Sequence, residues 1–203
     1  MDYKDTYKTL DYQSGEVLHK EKNSRFFGCA FPVASEEEVK PIIENLKKKH
    51  PSARHWCYAY QIGTEKMRFR ANDDGEPQNS AGMPIYGQIL SFEVTNVLVV
   101  VVRYFGGIKL GVGGLISAYK TAARMALEAA TVIEKTVDMH YILYFDYKDM
   151  NRAMRIIKER NLDIVSQKME MSCEIEIKTR KKNAEECFGI FSGLHGIEIR
   201  EKE

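Results

Sequence analysis

The sequence predicts an α+β fold in two parts: an N-terminal α/β two-layer domain over residues 1–134 and a ferredoxin-like βαββαβ domain over residues 138–203. Three observations predict it. A break in the pattern falls at residues 131–137, after an alanine-rich helical stretch. Beyond it, six short elements follow in the order strand, helix, strand, strand, helix, strand. Before it, Val97 to Tyr104 is a strand apolar on both faces, so it lies inside a sheet.

In the N-terminal part, "SRFFGCAFPV" predicts a strand and "SEEEVKPIIENLKKKH" a helix. Ser35 and Glu38 have capping-box spacing, with acids in the first turn and lysines in the last, which suits the helix dipole. Pro41 sits deeper than a first turn starting at Ser35, so the helix starts late or kinks. "RHWCYAYQI" and "KMRFRA" are strands, and "DDGEPQNSAGMP" is a turn-rich loop. "IYGQILSFEV" is a short apolar helix, with Ser80 as a possible cap, and Leu115 to Ala130 is a longer one. In the C-terminal part, "DMHYILYFDY" alternates and is rich in aromatic and β-branched residues. "KDMNRAMRIIKER" sets Met150, Ala153, Met154 and Ile157 at helical spacing. "LDIVSQKME" and "MSCEIEIKTR" form a hairpin, "KNAEECFGIFSGL" a helix, and "GIEIREK" the last strand. Four strands with two helices on one face just suffice for a core at about 65 residues.

Composition narrows the classes of function. The 203 residues are 44% hydrophobic and 29% charged, with a formal net charge of +1, so any basic surface is local. No apolar run approaches the roughly 20 residues that span a bilayer. The polar, acidic N-terminus has no secretory pattern, and together these point to a cytoplasmic protein without membrane contact. Cys29, Cys57, Cys173 and Cys187 lie far apart without a C-x-x-C pair, as expected of reduced, isolated thiols. No signature of a haem, flavin or nicotinamide cofactor is present.

The most informative stretch is "VLVVVVRYFGGIKLGVGGLISAYKTAAR", in which a buried strand passes to a helix through five glycines, Gly106, Gly107, Gly111, Gly113 and Gly114. Strand, glycine turn and helix N-terminus together are a recipe for holding an anion. The stretch is neither a Walker A loop nor a dinucleotide fingerprint. Arg103, Lys109, Lys120 and Arg124 surround it, and Tyr104, Phe105 and Tyr119 supply rings. Arg25, just before a strand, joins the patch if it projects beside the loop. Basic groups, exposed amides and rings suit a phosphate backbone and a splayed base, as in phosphate or nucleic-acid contact. The alternative is close strand–helix packing with solvated charges. Asp73, Asp74 and Glu76 form a second candidate, as Mg²⁺ ligands or an acid–base pair, against ordinary turn chemistry. His55 and Cys57 share a strand face and form a third, as a catalytic pair or half a metal site, against core packing.

"NSRFFGCAFPV", "ARHWCYAY", "DDGEPQNSAGMPI" and the long glycine motif together resemble the IMPACT/YigZ family, and the tail is similar to the second domain of its bacterial YigZ-type members. Ser117 stands where many members carry a basic residue. The resemblance implies a first domain folded like the second domain of a small-subunit ribosomal protein, and a second like elongation factor G domain V. It also implies a link to translation, with RNA or the ribosome as partner. Two other readings stand beside this one: a Mg-dependent enzyme acting on a phosphorylated or nucleotide substrate, and a protein-binding regulator that docks partners through residues 138–203.

Overall fold

The computed structural model describes residues 5–202, which divide into two compact units, residues 7–135 and residues 136–202 together with residues 5–6.

The unit spanning 7–135 is built on a five-stranded sheet. Its strands are β2 (Val17–Glu21), β3 (Ser24–Pro32), β4 (His55–Ile62), β5 (Arg68–Asn72) and β6 (Val97–Tyr104), in the order β2-β3-β6-β4-β5. Every neighbouring pair is antiparallel. The apolar run Val97–Val102 is the centre of this sheet, and all six residues are fully buried. Side chains of a strand alternate between faces, so both faces of β6 need cover. One is covered by α2 (Gly82–Ser91) and α3 (Gly111–Glu128), which enclose Val97, Val99 and Val101 with Phe26 and Ala59. The other is covered by α1 (Val39–Lys49), over Leu98, Val100 and Val102. To the two layers expected from the sequence, the structure thus adds a helix on the opposite face. The small residues Ala118, Ala122, Ala123 and Ala126 let α3 lie close on the sheet. A Cβ at Gly28 would sit 2.5 Å from the Ala122 carbonyl oxygen. A short ladder joins β1 (Thr6–Leu10) to β7 (Val132–Thr136).

As the position of Pro41 requires, α1 starts late, at Val39, after a single 3₁₀ turn over Glu36–Glu38. Ser35 begins that turn, and the Glu38 carboxylate accepts the Ala34 N–H at 3.3 Å.

The second unit has the six elements in the expected order: β8 (Asp138–Asp146), α4 (Met150–Glu159), β9 (Asp163–Met169), β10 (Ser172–Arg180), α5 (Ala184–Ser192) and β11 (Ile197–Glu201). The strand order is β11-β8-β10-β9, with α4 and α5 packed over Leu143, Ile175, Ile177 and Ile199. Asp5 belongs to this unit: its carboxylate takes Arg180 Nε at 3.1 Å and Nη2 at 3.2 Å.

On the β8–β10 surface, Glu176 accepts bonds from Lys202 Nζ at 2.8 Å, His140 Nδ1 at 2.9 Å and Ser166 Oγ at 3.2 Å. Lys202 first, then His140, hold its carboxyl down, from the ordinary 4.5 to about 2. A depressed carboxyl stabilises the fold above its unfolded value, and that contribution is lost as pH falls through the folded one. Lys202→Met is therefore expected to unfold more readily than the parent at neutral pH, with the difference closing between pH 4.5 and about 2. Denaturant unfolding followed across pH measures this, and a gap independent of pH would assign the loss to packing instead.

Candidate functional site

Arg103 is the penultimate residue of β6, the strand that leads into the glycine motif, and it does not face solvent. Neighbouring strands still pair on both sides of it, through Phe26 and His55, and it is 5% exposed. Its Nη1 donates to Glu76 Oε1 at 2.6 Å and its Nη2 to Ser24 Oγ at 3.4 Å, and its guanidinium lies over the Phe26 and Phe105 rings. The Glu76 side chain is 5% exposed and also accepts the Tyr119 hydroxyl at 2.7 Å. Arg103 and Tyr119, both expected at a ligand surface, therefore form a buried knot with Glu76. The sequence alone shows neither the 27-residue span from Arg103 to its partner nor the Ser24 hydroxyl in the knot.

The neighbouring carboxylates are committed in the same way. Asp73 Oδ1 accepts the N–H groups of Ala81 and Gly82 at 2.9 and 2.8 Å, and Oδ2 that of Asn79 at 2.8 Å. It thereby satisfies the first amides of α2, a duty expected of Ser80, whose hydroxyl instead donates to the Pro77 carbonyl at 2.6 Å. Asp74 Oδ2 accepts the Trp56 N–H at 2.7 Å. This is turn and cap chemistry. Among the described residues no group of three or more His, Cys, Asp or Glu side chains is placed to hold a metal ion.

His55 and Cys57 likewise take separate partners. His55 Nδ1–H donates to the Asp74 carbonyl at 2.9 Å, and its Nε2 lies 4.0 Å from Glu76. The fully buried Cys57 thiol donates to the Asp73 carbonyl at 2.9 Å and lies 3.3 Å from the Tyr119 hydroxyl. Burial pushes this thiol up, away from the thiolate a nucleophile needs. All four cysteines are free and buried.

What remains open to solvent is the glycine motif itself. Gly106 is pressed against the β2–β3 turn: its N–H donates to Ser24 Oγ at 3.2 Å, and a Cβ there would fall 2.1 Å from the Asn23 carbonyl carbon. Gly107 and Gly111 have φ of +86° and +71°. The helix α3 opens at Gly111, four residues earlier than the sequence suggests, so Gly113 and Gly114 are helical. No side chain caps this terminus, and Gly111, Val112 and Gly113 are exposed, which leaves first-turn amides facing water. Lys109 is exposed beside them. Arg25 pairs in register with Tyr104 and lies over its ring at 4.8 Å, so it flanks the loop; Phe105 is 43% exposed. Arg54 stands at the same end of the sheet, its N–H bonded to the Arg103 carbonyl at 3.3 Å, and is exposed. Sequence reasoning missed it, although "ARHW" sets a basic residue directly before a strand.

Lys120 and Arg124 are exposed but distant, about 14 and 20 Å along α3 from Gly111 at the helical rise. Arg124 Nε also lies 3.6 Å from Glu128. The structure thus gathers Arg25, Gly106, Gly107, Lys109 and Gly111, buries Arg103, and sets Lys120 and Arg124 apart. A 580 Å³ cavity elsewhere, between α1 and residues 13–16, holds Glu16, whose carboxylate takes Lys49 and His50 at 2.8 and 2.9 Å. It does not adjoin the loop.

Residues 22–127 match the family pattern described as the Impact N-terminal domain. The chain is 36% identical over 136 residues to IMPACT family member YigZ of Escherichia coli, spanning 66% of this chain and 67% of that one. It is 30% identical over 179 residues to an IMPACT family member of Haemophilus influenzae, with 85% of each chain covered. A crystal structure of a hypothetical protein superposes with a TM-score of 0.74 at 26% identity, over 99% of both chains. No helix among the described residues is long and apolar enough to cross a membrane.

Proposed function

Because this chain belongs to the IMPACT family, we propose that it is a translation-linked regulatory protein that holds RNA phosphates, on free RNA or on the ribosome, through the loop from Gly106 to Gly111. The observation that carries the phosphate contact is the uncapped, exposed start of α3 with Lys109 beside it. An 18-residue helix presents a full N-terminal dipole, its free amides donate to phosphate oxygens, and Lys109 and Arg25 add charge. Phe105 offers an exposed ring for an unstacked base. The link to translation comes from the family alone.

RNA association tests this, measured by fluorescence anisotropy at two salt concentrations on single-stranded and hairpin RNAs. Lys109→Glu is expected to weaken binding at least about ten-fold and to flatten the salt dependence by about one phosphate contact. Arg25→Glu is expected to act in the same direction, whereas Lys120→Glu, farther along the helix, changes affinity less. Binding equal to the parent in both Lys109→Glu and Arg25→Glu would remove the loop from the interface.

A further inference from the structure

We propose that the free edge of β5 accepts an extended segment of a partner protein in which apolar and acidic residues alternate, adding a sixth strand to the sheet of residues 7–135. This inference does not rest on the RNA reading.

β5 is the last strand of its sheet, paired with β4 on one side only. Such an edge carries unpaired backbone donors and acceptors ready for another strand. Its side chains divide by face. Arg68 and Arg70 pair across with Ile62 and Tyr60, residues of the α1 face, and both arginines are exposed. Phe69 pairs with Gln61 on the α2 face and is 55% exposed, with its ring stacked on Tyr86 of α2 at 4.4 Å and 10°.

The flank provided by α2 is unusual for a surface helix. Its sequence, GMPIYGQILS, contains no charged residue. A surface helix ordinarily turns polar residues outward. Here Met83 and Leu90 are 42% and 52% exposed, three and four positions from Tyr86, and so lie on its side of the helix. Met67, just before β5, is 58% exposed. Phe69, Tyr86, Met83 and Leu90 thus form an apolar shelf beside an open strand edge.

An added strand has the same two-residue period as β5. Its side chains over the shelf must be apolar, and those on the other face meet Arg68 and Arg70. Carboxylates suit that face. Arg68 already takes one, Glu36, at 3.3 Å with both groups solvent-exposed, an exchangeable pair of small net worth. The charge pattern also disfavours a second copy of this chain, since two β5 edges side by side would set Arg68 and Arg70 against their own kind.

The test uses the full chain and a labelled, capped heptapeptide alternating valine and glutamate, with binding followed by fluorescence anisotropy. Saturable binding is expected, weakened about ten-fold in Phe69→Lys and in Arg70→Glu and retained in Lys109→Glu. A peptide of the same composition in two blocks, and one N-methylated on alternate amides, are expected not to bind. Arg70 is exposed, so the thermal midpoint of Arg70→Glu should stay at the parent value, while Phe69→Lys should lose only the stacking on Tyr86 and stay folded at the assay temperature, separating lost binding from lost fold. The inference is overturned by no binding at millimolar peptide, by equal binding of the block or N-methylated peptide, or by variants that bind like the parent. Concentration-dependent dimerisation abolished by Phe69→Lys would overturn it in favour of self-association, and displacement of the peptide by RNA in favour of a nucleic-acid surface.

Discussion

Glu76→Ala is expected to destabilise the unit spanning residues 7–135 by about 3–5 kcal/mol, the usual cost of removing one member of a buried ion pair. The substitution leaves Arg103, 5% exposed, with Ser24 Oγ at 3.4 Å as its remaining side-chain acceptor. It also takes the acceptor from the buried Tyr119 hydroxyl. The dominant loss is the stranded guanidinium rather than attraction forgone, because desolvating both charges offsets most of a buried pair's Coulombic gain. Arg103→Met combined with Glu76→Gln should therefore be milder than Glu76→Ala alone: it removes both charges, keeps an oxygen for Tyr119, and fills the volume. Urea unfolding of the three variants measures this. A midpoint for Glu76→Ala equal to the parent's would mean that water or another acceptor replaces the carboxylate. The comparison also bears on mechanism, since a carboxylate kept for stability shows its effect with no ligand present.

The second large effect is expected at Gly106. Alanine there places its Cβ 2.1 Å from the Asn23 carbonyl carbon, 2.3 Å from its oxygen and 2.4 Å from the Ser24 nitrogen. These are backbone atoms, which cannot swing aside as a side chain does. Gly106→Ala must therefore push the β2–β3 turn off the loop, at on the order of 3 kcal/mol or more. Nearby glycines give graded controls. Gly107 has open space around its missing Cβ but φ of +86°, so alanine there should cost about 1–2 kcal/mol. Gly113 has open space and a helical backbone, so Gly113→Ala should stabilise by about 1 kcal/mol. Thermal melts that rank the three in this order would support the loop packing; equal effects at Gly106 and Gly113 would contradict it.

Much of the fold was legible because it depends on local period. The six elements of residues 138–202 each carry their own two- or 3.6-residue pattern, and Pro41 marked the late start of α1. The start of α3 was not legible: three glycines in its first four positions argue against a helix by propensity, and packing overrides them through Leu115 and Ala118. The place of α1 on the opposite face was hidden too, since its own pattern shows a buried stripe but not which face of the sheet receives it. For the site, the exposed loop with Lys109 followed from the motif. Arg103 misled because a cation after an apolar run looks like a strand end in water, whereas β6 is still flanked there by two strands and Glu76 arrives from a distant loop. Tyr119 was misassigned despite a legible signal, its helical spacing with Leu115 and Ala122.

The ion pair between Asp5 and Arg180 joins residues 175 positions apart. Synthesis is vectorial, so Asp5 leaves the ribosome 175 residues ahead of Arg180. The sheet of residues 7–135 can close as soon as its own strands emerge, because all its pairings lie within residues 17–104. The unit of β8–β11 is completed only when Asp5 returns to it, a high-contact-order step that pays loop-closure entropy last. A fragment starting at residue 136 would lack Asp5 and leave Arg180 without that carboxylate, so this unit owes part of its finish to a residue translated ahead of the whole sheet of residues 7–135.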